Sequence, residues 1–309
     1  MKKSDASWQG HLAILTANVL WGLNAPIGKE ALHVLSATAV SAYRLIGGCA
    51  AFWLLSLFLP RERVTGRDKV LFVFAALFGF TFNQGLFIYG LSLTTPVDAA
   101  IIASSLPIVT MVLAALFLRE PVTWKKSAGI ALGISGALML IFGSLGGPGS
   151  GGSLTGNLMC FLAQVSFGIY LTLFKGLISR YSPVTVSKWL FLFGAILFLP
   201  LSANEVAAVP YAALPAALWA RVSYIIFGAT FLAYLCVPVG QQRLRPTVVS
   251  MYNYTQPVVA TIVSVALGLS RFGWKSAVAV GLIFTGVWFV TQSKSRAQME
   301  QERSSRASR

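Results

Sequence analysis

The chain has 309 residues, of which 56% are hydrophobic and only 11% are charged, and its mean hydropathy is strongly positive. That is more apolar surface than one water-soluble core could bury, so the composition excludes an ordinary soluble domain. The formal net charge is +15, but the basic residues lie in short clusters between apolar runs. Such clusters are typical of the cytoplasmic loops of membrane proteins and argue against nucleic-acid binding.

Apolar runs long enough to cross a bilayer as helices divide the chain into about ten predicted spans. They are residues 11–30, 36–59, 70–92, 97–118, 126–143, 155–174, 184–203, 217–239, 247–269 and 275–292. The first run follows two lysines and could be read as a signal peptide, but it has a counterpart later in the chain, so we do not expect cleavage. The sequence therefore predicts an all-α polytopic membrane protein with ten transmembrane helices.

The placement of lysine and arginine predicts the orientation of these spans. With residues 1–10 in the cytoplasm, most of the basic residues fall on the inner side, and the outer side has only Lys29, Arg221, Arg271 and Lys275. Both termini, including the basic tail 294–309, are therefore expected in the cytoplasm. The expected location is the cytoplasmic (inner) membrane.

The two halves of the chain match each other. Pairs that match at an offset of 150 or 146 residues include Pro107 with Pro257, Trp124-Lys125 with Trp274-Lys275, and Lys29 with Lys175. Residues 11–143 and 154–293 are then two repeats of five helices each, joined by a Gly-rich outer linker at 144–153. An odd number of helices per repeat makes the second repeat enter the membrane from the opposite side, which is the inverted-repeat plan of secondary transporters.

These features resemble the drug/metabolite transporter superfamily, in its EamA-type branch. The resemblance covers about residues 8–293 and includes the "P…LREPVTW" ending of the fourth span and the "YNYTQPVVA" opening of the ninth. Members of the branch export amino acids, other metabolites and toxic organic compounds, so the resemblance implies export without specifying the substrate. One difference is that Ser270 stands where the second repeat of relatives often has an acid matching Glu120.

Polar side chains at mid-depth in the spans are candidates for a substrate site, since each must find a partner or line a water-filled cavity. These candidates are Asn18, Trp21, Asn83, Gln84, Gln164, Tyr252, Asn253, Tyr254 and Gln256. Amides both donate and accept hydrogen bonds, which suits a zwitterion, while aromatic faces hold apolar groups and organic cations. The alternative is that the amides only join neighbouring helices.

Arg44 lies about two turns into the second span, where a charged side chain should face a cavity or a partner. Its candidate counter-ions are Glu30, Asp98 and a substrate carboxylate, and the alternative is extension to the outer interface. The equivalent position in the second half is Leu190, so Arg44 breaks the symmetry. No carboxylate lies at mid-depth, which favours facilitated diffusion or exchange over proton antiport.

Pro107 and Pro257 fall within predicted spans, where proline removes a backbone hydrogen bond and is expected to kink the helix. Their equivalent positions suggest paired hinges for alternating access, with passive kinks as the alternative. Glu120 ends the fourth span between Arg119 and Pro121, and we predict that it acts in gating at the cytoplasmic surface.

The leading function is therefore a secondary transporter that moves amino acids or related compounds out of the cytoplasm. Export of organic cations or drugs is an alternative, and a non-transporting receptor or scaffold is another. The sequence has no metal-ligand or nucleophile motif, so we expect no enzymatic activity, no metal and no cofactor. The expected partners are the small-molecule substrate and the lipid bilayer, for a protein that is a monomer or a homodimer.

Overall fold

The computed structural model describes residues 3–32, 34–93, 102–103, 105–145, 153–211, 214–266 and 274–293. Throughout these ranges the regular secondary structure is helical, without strands, which confirms the predicted all-α class. Most of the predicted linker, the basic tail, Asp98 and Ser270 lie outside the described residues.

The helices of the first half are α1 (Lys3–Leu32), α2 (Ala37–Ser56), α3 (Gly66–Ala76), α4 (Asn83–Leu93), α5 (Leu106–Leu118) and α6 (Trp124–Leu145). Those of the second half are α7 (Leu154–Leu173), α8 (Lys175–Ile178), α9 (Pro183–Ala207), α10 (Ala216–Ile226), α11 (Ala233–Arg243), α12 (Pro246–Met251), α13 (Thr255–Ala266) and α14 (Trp274–Thr291). Two π-helical segments, π1 (Leu77–Phe82) and π2 (Phe227–Leu232), join α3 to α4 and α10 to α11, and a 3₁₀ turn (Tyr252–Tyr254) joins α12 to α13.

Five helical segments of the described chain are long and apolar enough to cross a membrane. They are Thr38–Ser56, Gly66–Phe87, Leu154–Leu173, Pro183–Ala207 and Ala216–Arg243. Leu106–Leu118 and Ala277–Thr291 are shorter apolar helices. These segments fit a polytopic membrane protein, while the count of ten spans stays a prediction.

Helix ends follow local sequence signals. Ser36, Thr65, Ser153 and Ser182 each precede a helix and accept a hydrogen bond from a backbone N–H of its first turn. Arg119 ends α5 in the left-handed conformation, with φ of 51°, and Pro121 prevents the helix from resuming. The sequence "LREP" is thus a helix stop, as its residues indicated.

Equivalent helices of the two halves pack together in antiparallel pairs. α6 crosses α14 so closely that a Cβ added to Gly129 would lie 2.6 Å from the carbonyl oxygen of Gly286. One added to Gly136 would lie 2.6 Å from the carbonyl oxygen of Ala279, so the start of α6 meets the end of α14. An axis in the membrane plane relates equivalent helices in this antiparallel way, as the inverted-repeat prediction requires.

The remaining packing repeats the same symmetry. α2 packs on its equivalent α9, and the contact of α4 with α7 is matched by that of α11 with α1. Likewise α5 packs on α7, and its equivalent α13 packs on α1. These three pairs of contacts between the halves therefore follow the same two-fold arrangement.

The π segments obey the symmetry too. π1 begins at Leu77 and π2 at Phe227, 150 residues later, each within one continuous helix. We predicted uninterrupted spans at 70–92 and 217–239. A π segment changes local hydrogen bonding without changing hydropathy, so the apolar pattern does not reveal it.

The structure places the two prolines near the first turns of two helices. Pro107 lies in the first turn of α5, and Pro257 is the third residue of α13, directly after the 3₁₀ turn. Proline is stable there because the first N–H groups of a helix have no intrahelical acceptor to lose. Met251, Tyr252 and Thr255 all keep right-handed helical dihedral angles, so the ninth span changes from α-helix to a 3₁₀ turn before Pro257 without leaving the helical conformation.

The crossing of α6 and α14 predicts that Gly286→Ala lowers stability. The new Cβ would lie 2.5 Å from the Gly129 carbonyl oxygen, which is backbone and cannot turn aside. Overpacking of this kind costs about 1–3 kcal/mol, so the melting temperature of the detergent-solubilised protein should fall by several degrees. Gly281→Ala on the same helix is the matched control, because its Cβ would have nothing within 4 Å. Equal melting temperatures for the two variants would contradict this packing.

Candidate functional site

Two side chains of the first half donate hydrogen bonds to π2 in the second half. Trp21 Nε1, on α1, donates to the carbonyl oxygen of Ala229 at 2.9 Å, and Arg44 Nε, on α2, donates to Thr230 Oγ1 at 2.9 Å. A π segment interrupts the regular backbone ladder, so its carbonyls can accept from side chains. π2 therefore fixes an indole and a guanidinium at two adjacent residues.

Among the described side chains, the surroundings of Arg44 hold an aromatic pair but no acid. Tyr234, which interacts electrostatically with Arg44, is 9% exposed and packs edge-on against Trp21, with ring centroids 5.4 Å apart. No carboxylate of the described side chains lies within ion-pair distance of Arg44, and the side chains of the predicted counter-ions Glu30 and Asp98 are outside that set. The Arg44 side chain turns to Thr230, and the predicted extension to the interface is not seen.

The position related to Arg44 by symmetry is apolar. Thr230 of π2 corresponds to Phe80 of π1, and Arg44 corresponds to Leu190. Phe80 packs on Tyr234 at 5.2 Å between ring centroids, and its side chain is 1% exposed. One half thus builds a charged contact where the other builds an apolar one, although the backbone is the same.

A chain of amides joins α1 to the 3₁₀ turn before α13 and to the first turn of α13. Asn18 is fully buried, and its Oδ1 accepts a hydrogen bond from Gln256 Nε2 at 2.9 Å. The same nitrogen is 3.4 Å from Asn253 Oδ1. Tyr252 Oη bonds His11 Nδ1 at 2.8 Å in the same interface. The structure therefore brings together Asn18, Asn253 and Gln256, and Trp21 lies one turn above Asn18 on the same helix face.

The other predicted site residues are distributed differently. Asn83 Nδ2 donates to the Ala163 carbonyl at 3.0 Å, and Gln164 beside it is buried. Gln84 Oε1 is enclosed and has no hydrogen-bond partner among the described residues. Tyr254 is 2% exposed and its ring lies against Gly133 of α6, so it faces away from α1.

Glu120 is held in a charged cluster at one end of the bundle. Its Oε2 is 2.8 Å from Lys126 Nζ and accepts a hydrogen bond from Thr247 Oγ1 at 3.3 Å. The side chains of Glu120 and Lys126 are only 10% and 1% exposed. Because Thr247 belongs to the second half, this carboxylate ties the two halves together.

Two further cations of the second half lie in the field of Glu120. Lys175 Nζ donates to the carbonyls of Gln241 and Leu244, and Arg245 Nη2 donates to the Ser293 carbonyl at 2.7 Å. Burial lowers the pKa of Lys175 to about 8, while Glu120 acts in the opposite direction. We call this end of the bundle, with Glu120, Lys126, Lys175 and Arg245, the basic end.

Sequence reasoning missed Thr230 and Tyr234. Thr230 is a polar residue in the middle of the predicted span 217–239, and Tyr234 aligns with the candidate Gln84 at the 150-residue offset. Adding the repeat offset to the residue number of each candidate would have identified Tyr234. Only the folded structure shows that Thr230 contacts Arg44, because the two residues lie 186 positions apart in the sequence.

Comparison with known proteins identifies the family. The sequence profile of the EamA-like transporter family matches residues 8–142 and 154–292. The chain belongs to the EamA-like transporter family. It is accordingly an integral multi-pass membrane protein with a transport role, and the names of its relatives point to a transporter and not to an enzyme.

Relatives of this EamA-like transporter cover most of its length. The uncharacterized transporter YyaM of Bacillus subtilis is 25% identical over 263 residues, covering 84% of this chain and 86% of the relative. A probable terminal-alkyne amino-acid exporter of Streptantibioticus cattleyicolor is 25% identical over 264 residues, covering 85% and 86%. A solved structure titled "Crystal structure of protein" has the same fold, with a TM-score of 0.78 and 21% identity over 94% of this chain and 97% of that one.

The environment of Lys175 predicts that it loses its charge near pH 8. Desolvation disfavours the ammonium form, so the folded protein should release this proton well below the ordinary value of 10.5. In a ¹³Cε-lysine NMR titration, one resonance should have its midpoint near pH 8 and be missing from the Lys175→Arg spectrum. If the resonance lost in that variant titrates near 10.5, Lys175 is not buried as described.

Proposed function

We propose that this transporter exports amino acids or related small zwitterions by alternating access. The observation that carries the proposal is the Arg44 guanidinium, held within the bundle beside an aromatic pair and without a protein carboxylate among the described side chains. A cation in a membrane interior requires a counter-ion or water. A substrate carboxylate supplies that counter-ion.

The proposed binding mode uses the atoms of Arg44 that Thr230 leaves open. Because Nε is bound to Thr230, the guanidinium plane is fixed and its Nη groups can bind a carboxylate through two hydrogen bonds. The faces of Trp21 and Tyr234 suit the ammonium group or an apolar side chain. The amides of Asn18, Asn253 and Gln256, and on the other side Asn83, Gln84 and Gln164, supply further donors and acceptors.

The relatives support this class of substrate. One relative of similar length is named a probable terminal-alkyne amino-acid exporter, and its similarity extends over most of both chains. An exporter of organic cations would gain from a buried acid near the aromatic pair. Around Trp21 and Tyr234 the described charged group is instead Arg44.

For the transport cycle, we propose that the basic end is a gate. Glu120 bonds Lys126 of its own half and Thr247 of the other half, so separation of the halves at this end requires breaking the latter bond. Pro107 and Pro257 lie in the first turns of helices at symmetric positions, and they are the proposed hinges. Facilitated diffusion or exchange remains the expected form of transport.

The proposed location is the cytoplasmic membrane, with both termini and the basic end in the cytoplasm. Arg119, Lys125, Lys126, Lys175 and Arg245 belong to this end, which supports the orientation by the positive-inside rule. With this orientation the closed basic end separates the Arg44 site from the cytoplasm.

The proposal predicts that Arg44→Met abolishes most zwitterion transport. Losing a charge-assisted bond of about 1.5–3 kcal/mol lowers substrate binding about 10- to 150-fold. Uptake of a labelled amino-acid mixture into proteoliposomes, driven by counterflow, measures the loss. Thr230→Val should lower uptake less, because it removes the bond that orients Arg44 and keeps the charge.

Several outcomes would decide against the proposed substrate. Arg44→Lys is the charge-preserving control and should retain part of the uptake that Arg44→Met loses. Unchanged amino-acid uptake in Arg44→Met would contradict the proposed role of Arg44. Counterflow of quaternary amines but not of amino acids would identify a cation exporter, and no flux of either class would favour a receptor or scaffold.

The gate predicts that Glu120→Gln opens the basic end. Breaking a buried ion pair leaves Lys126 uncompensated, at a cost of about 3–5 kcal/mol, which weakens the closed state. Ser250, one turn beyond Thr247, is 1% exposed. In a background with the three native cysteines replaced, Ser250→Cys should react with a membrane-impermeant maleimide at least tenfold faster when Glu120 is Gln.

Glu205→Gln is the control for this experiment, because Glu205 is exposed on α9 and lies outside the charged cluster. Its maleimide rate should equal that of the parent. A Glu120→Gln variant whose Ser250→Cys stays unreactive would show that Glu120 does not hold the gate.

A further inference from the structure

Two lysines lie over two tryptophans between α2, α3 and α9. Lys69 Nζ is 5.0 Å from the centroid of the Trp189 ring, and Lys188 Nζ is 5.1 Å from that of Trp53. The two indoles pack edge-on, with centroids 5.6 Å apart. We call these four side chains the indole–lysine cluster. Its members come from the end of α2 and the starts of α3 and α9, so it lies at one end of the helices.

The acids nearest to this cluster are bound elsewhere. Asp68 accepts from Arg180 Nη1 at 2.9 Å and from Tyr181 Oη at 2.6 Å. Glu62 accepts from the backbone and hydroxyl of Ser182, and it acts on Lys188 only through its field. Within the described chain neither Lys69 nor Lys188 has a carboxylate at ion-pair distance. The cluster therefore keeps positive charge that the described protein does not neutralise.

The two indole N–H groups also lack acceptors. Nε1 of Trp53 and Nε1 of Trp189 are both enclosed and have no hydrogen-bond partner among the described residues. A buried donor without an acceptor is costly, so such groups usually meet a ligand, an ion or water. The side chains over the two rings are flexible lysines, which can move aside for an incoming acceptor.

Beside the cluster, the end of α2 exposes apolar side chains. Leu54, Leu57 and Phe58 are 60%, 71% and 79% exposed. In a protein that crosses the bilayer, an exposed apolar surface of this kind faces lipid chains. Cations, indole donors and apolar side chains thus occur together where a membrane helix ends.

We propose that the indole–lysine cluster binds the headgroup of an anionic phospholipid. The phosphodiester would lie between the Lys69 and Lys188 ammonium groups and accept from the indole N–H groups, while the acyl chains follow Leu54, Leu57 and Phe58. A soluble phosphate would use the same donors but would leave the apolar surface unused. This inference is independent of the transported substrate.

The test is to add lipid to the full-length protein in detergent and to measure the melting temperature at each lipid concentration. Phosphatidylglycerol should stabilise the protein at lower concentration than phosphatidylcholine does. Each anionic-surface contact of a lysine is worth roughly a fivefold change in affinity, so Lys69→Gln and Lys188→Gln should each raise the half-maximal phosphatidylglycerol concentration about fivefold. The double variant should raise it about 25-fold.

Lys125→Gln is the matched control, since Lys125 is also exposed and follows a tryptophan, Trp124, that is 82% exposed. Its phosphatidylglycerol titration should equal that of the parent. Native mass spectrometry of retained lipid gives a readout that does not depend on stability, and the double variant should retain less phosphatidylglycerol.

Three results would overturn the proposal. The first is that phosphatidylcholine stabilises the protein at as low a concentration as phosphatidylglycerol does. The second is that Lys125→Gln weakens stabilisation by phosphatidylglycerol as much as Lys69→Gln or Lys188→Gln does. The third is that inorganic phosphate alone gives the full stabilisation. The last result would identify a site for soluble anions and not for lipid.

Discussion

The bilayer interior supplies no water, so each polar group within it must be partnered by the protein. This constraint explains the bonds between the two halves. The carbonyl of Ala229 in π2 is bound by Trp21, the carbonyl of Phe78 in π1 is bound by Ser166 Oγ at 2.7 Å, and Asn18 is bound by Gln256. Because these partners come from opposite repeats, satisfying the backbone also fixes how the repeats assemble. The π segments are therefore both a disturbance of the helix and a means of joining the halves.

Arg44 connects this constraint with the proposed function. Amides and hydroxyls satisfy one another across the helices, but a guanidinium has more donors than Thr230 can accept. The two-fold equivalents of Arg44 and Thr230 are Leu190 and Phe80, which are both apolar and buried, so the scaffold folds without a charge at this position. Because the fold does not require Arg44 and a charge is costly there, we propose that it binds a ligand.

Much of the fold could be predicted from the sequence, because hydropathy locates buried helices and the repeat offset relates them. The end of α5 at Arg119 and Pro121 could also be predicted, because a proline cannot continue a helix. The π segments were not predicted, since one altered turn leaves the apolar pattern intact. The 3₁₀ turn before Pro257 was not predicted either, because a change from α- to 3₁₀-helix leaves hydropathy unchanged. Contacts such as Arg44 with Thr230 depend on packing between distant segments, and no local pattern encodes them.

The unequal ends of the molecule have an energetic consequence. Glu120 and Lys126 form a buried ion pair at the basic end, whereas the equivalent residues in the second half are Ser270 and Ser276. In the proposed alternating-access cycle, identical repeats would make the two access states equivalent by a two-fold rotation, with equal populations. An ion pair present in one half only biases the empty carrier toward one state. In a carrier without a coupling ion the cycle must close, so either the loaded carrier has the same bias as the empty one, or the substrate affinities at the two membrane faces differ by the ratio of the two biases.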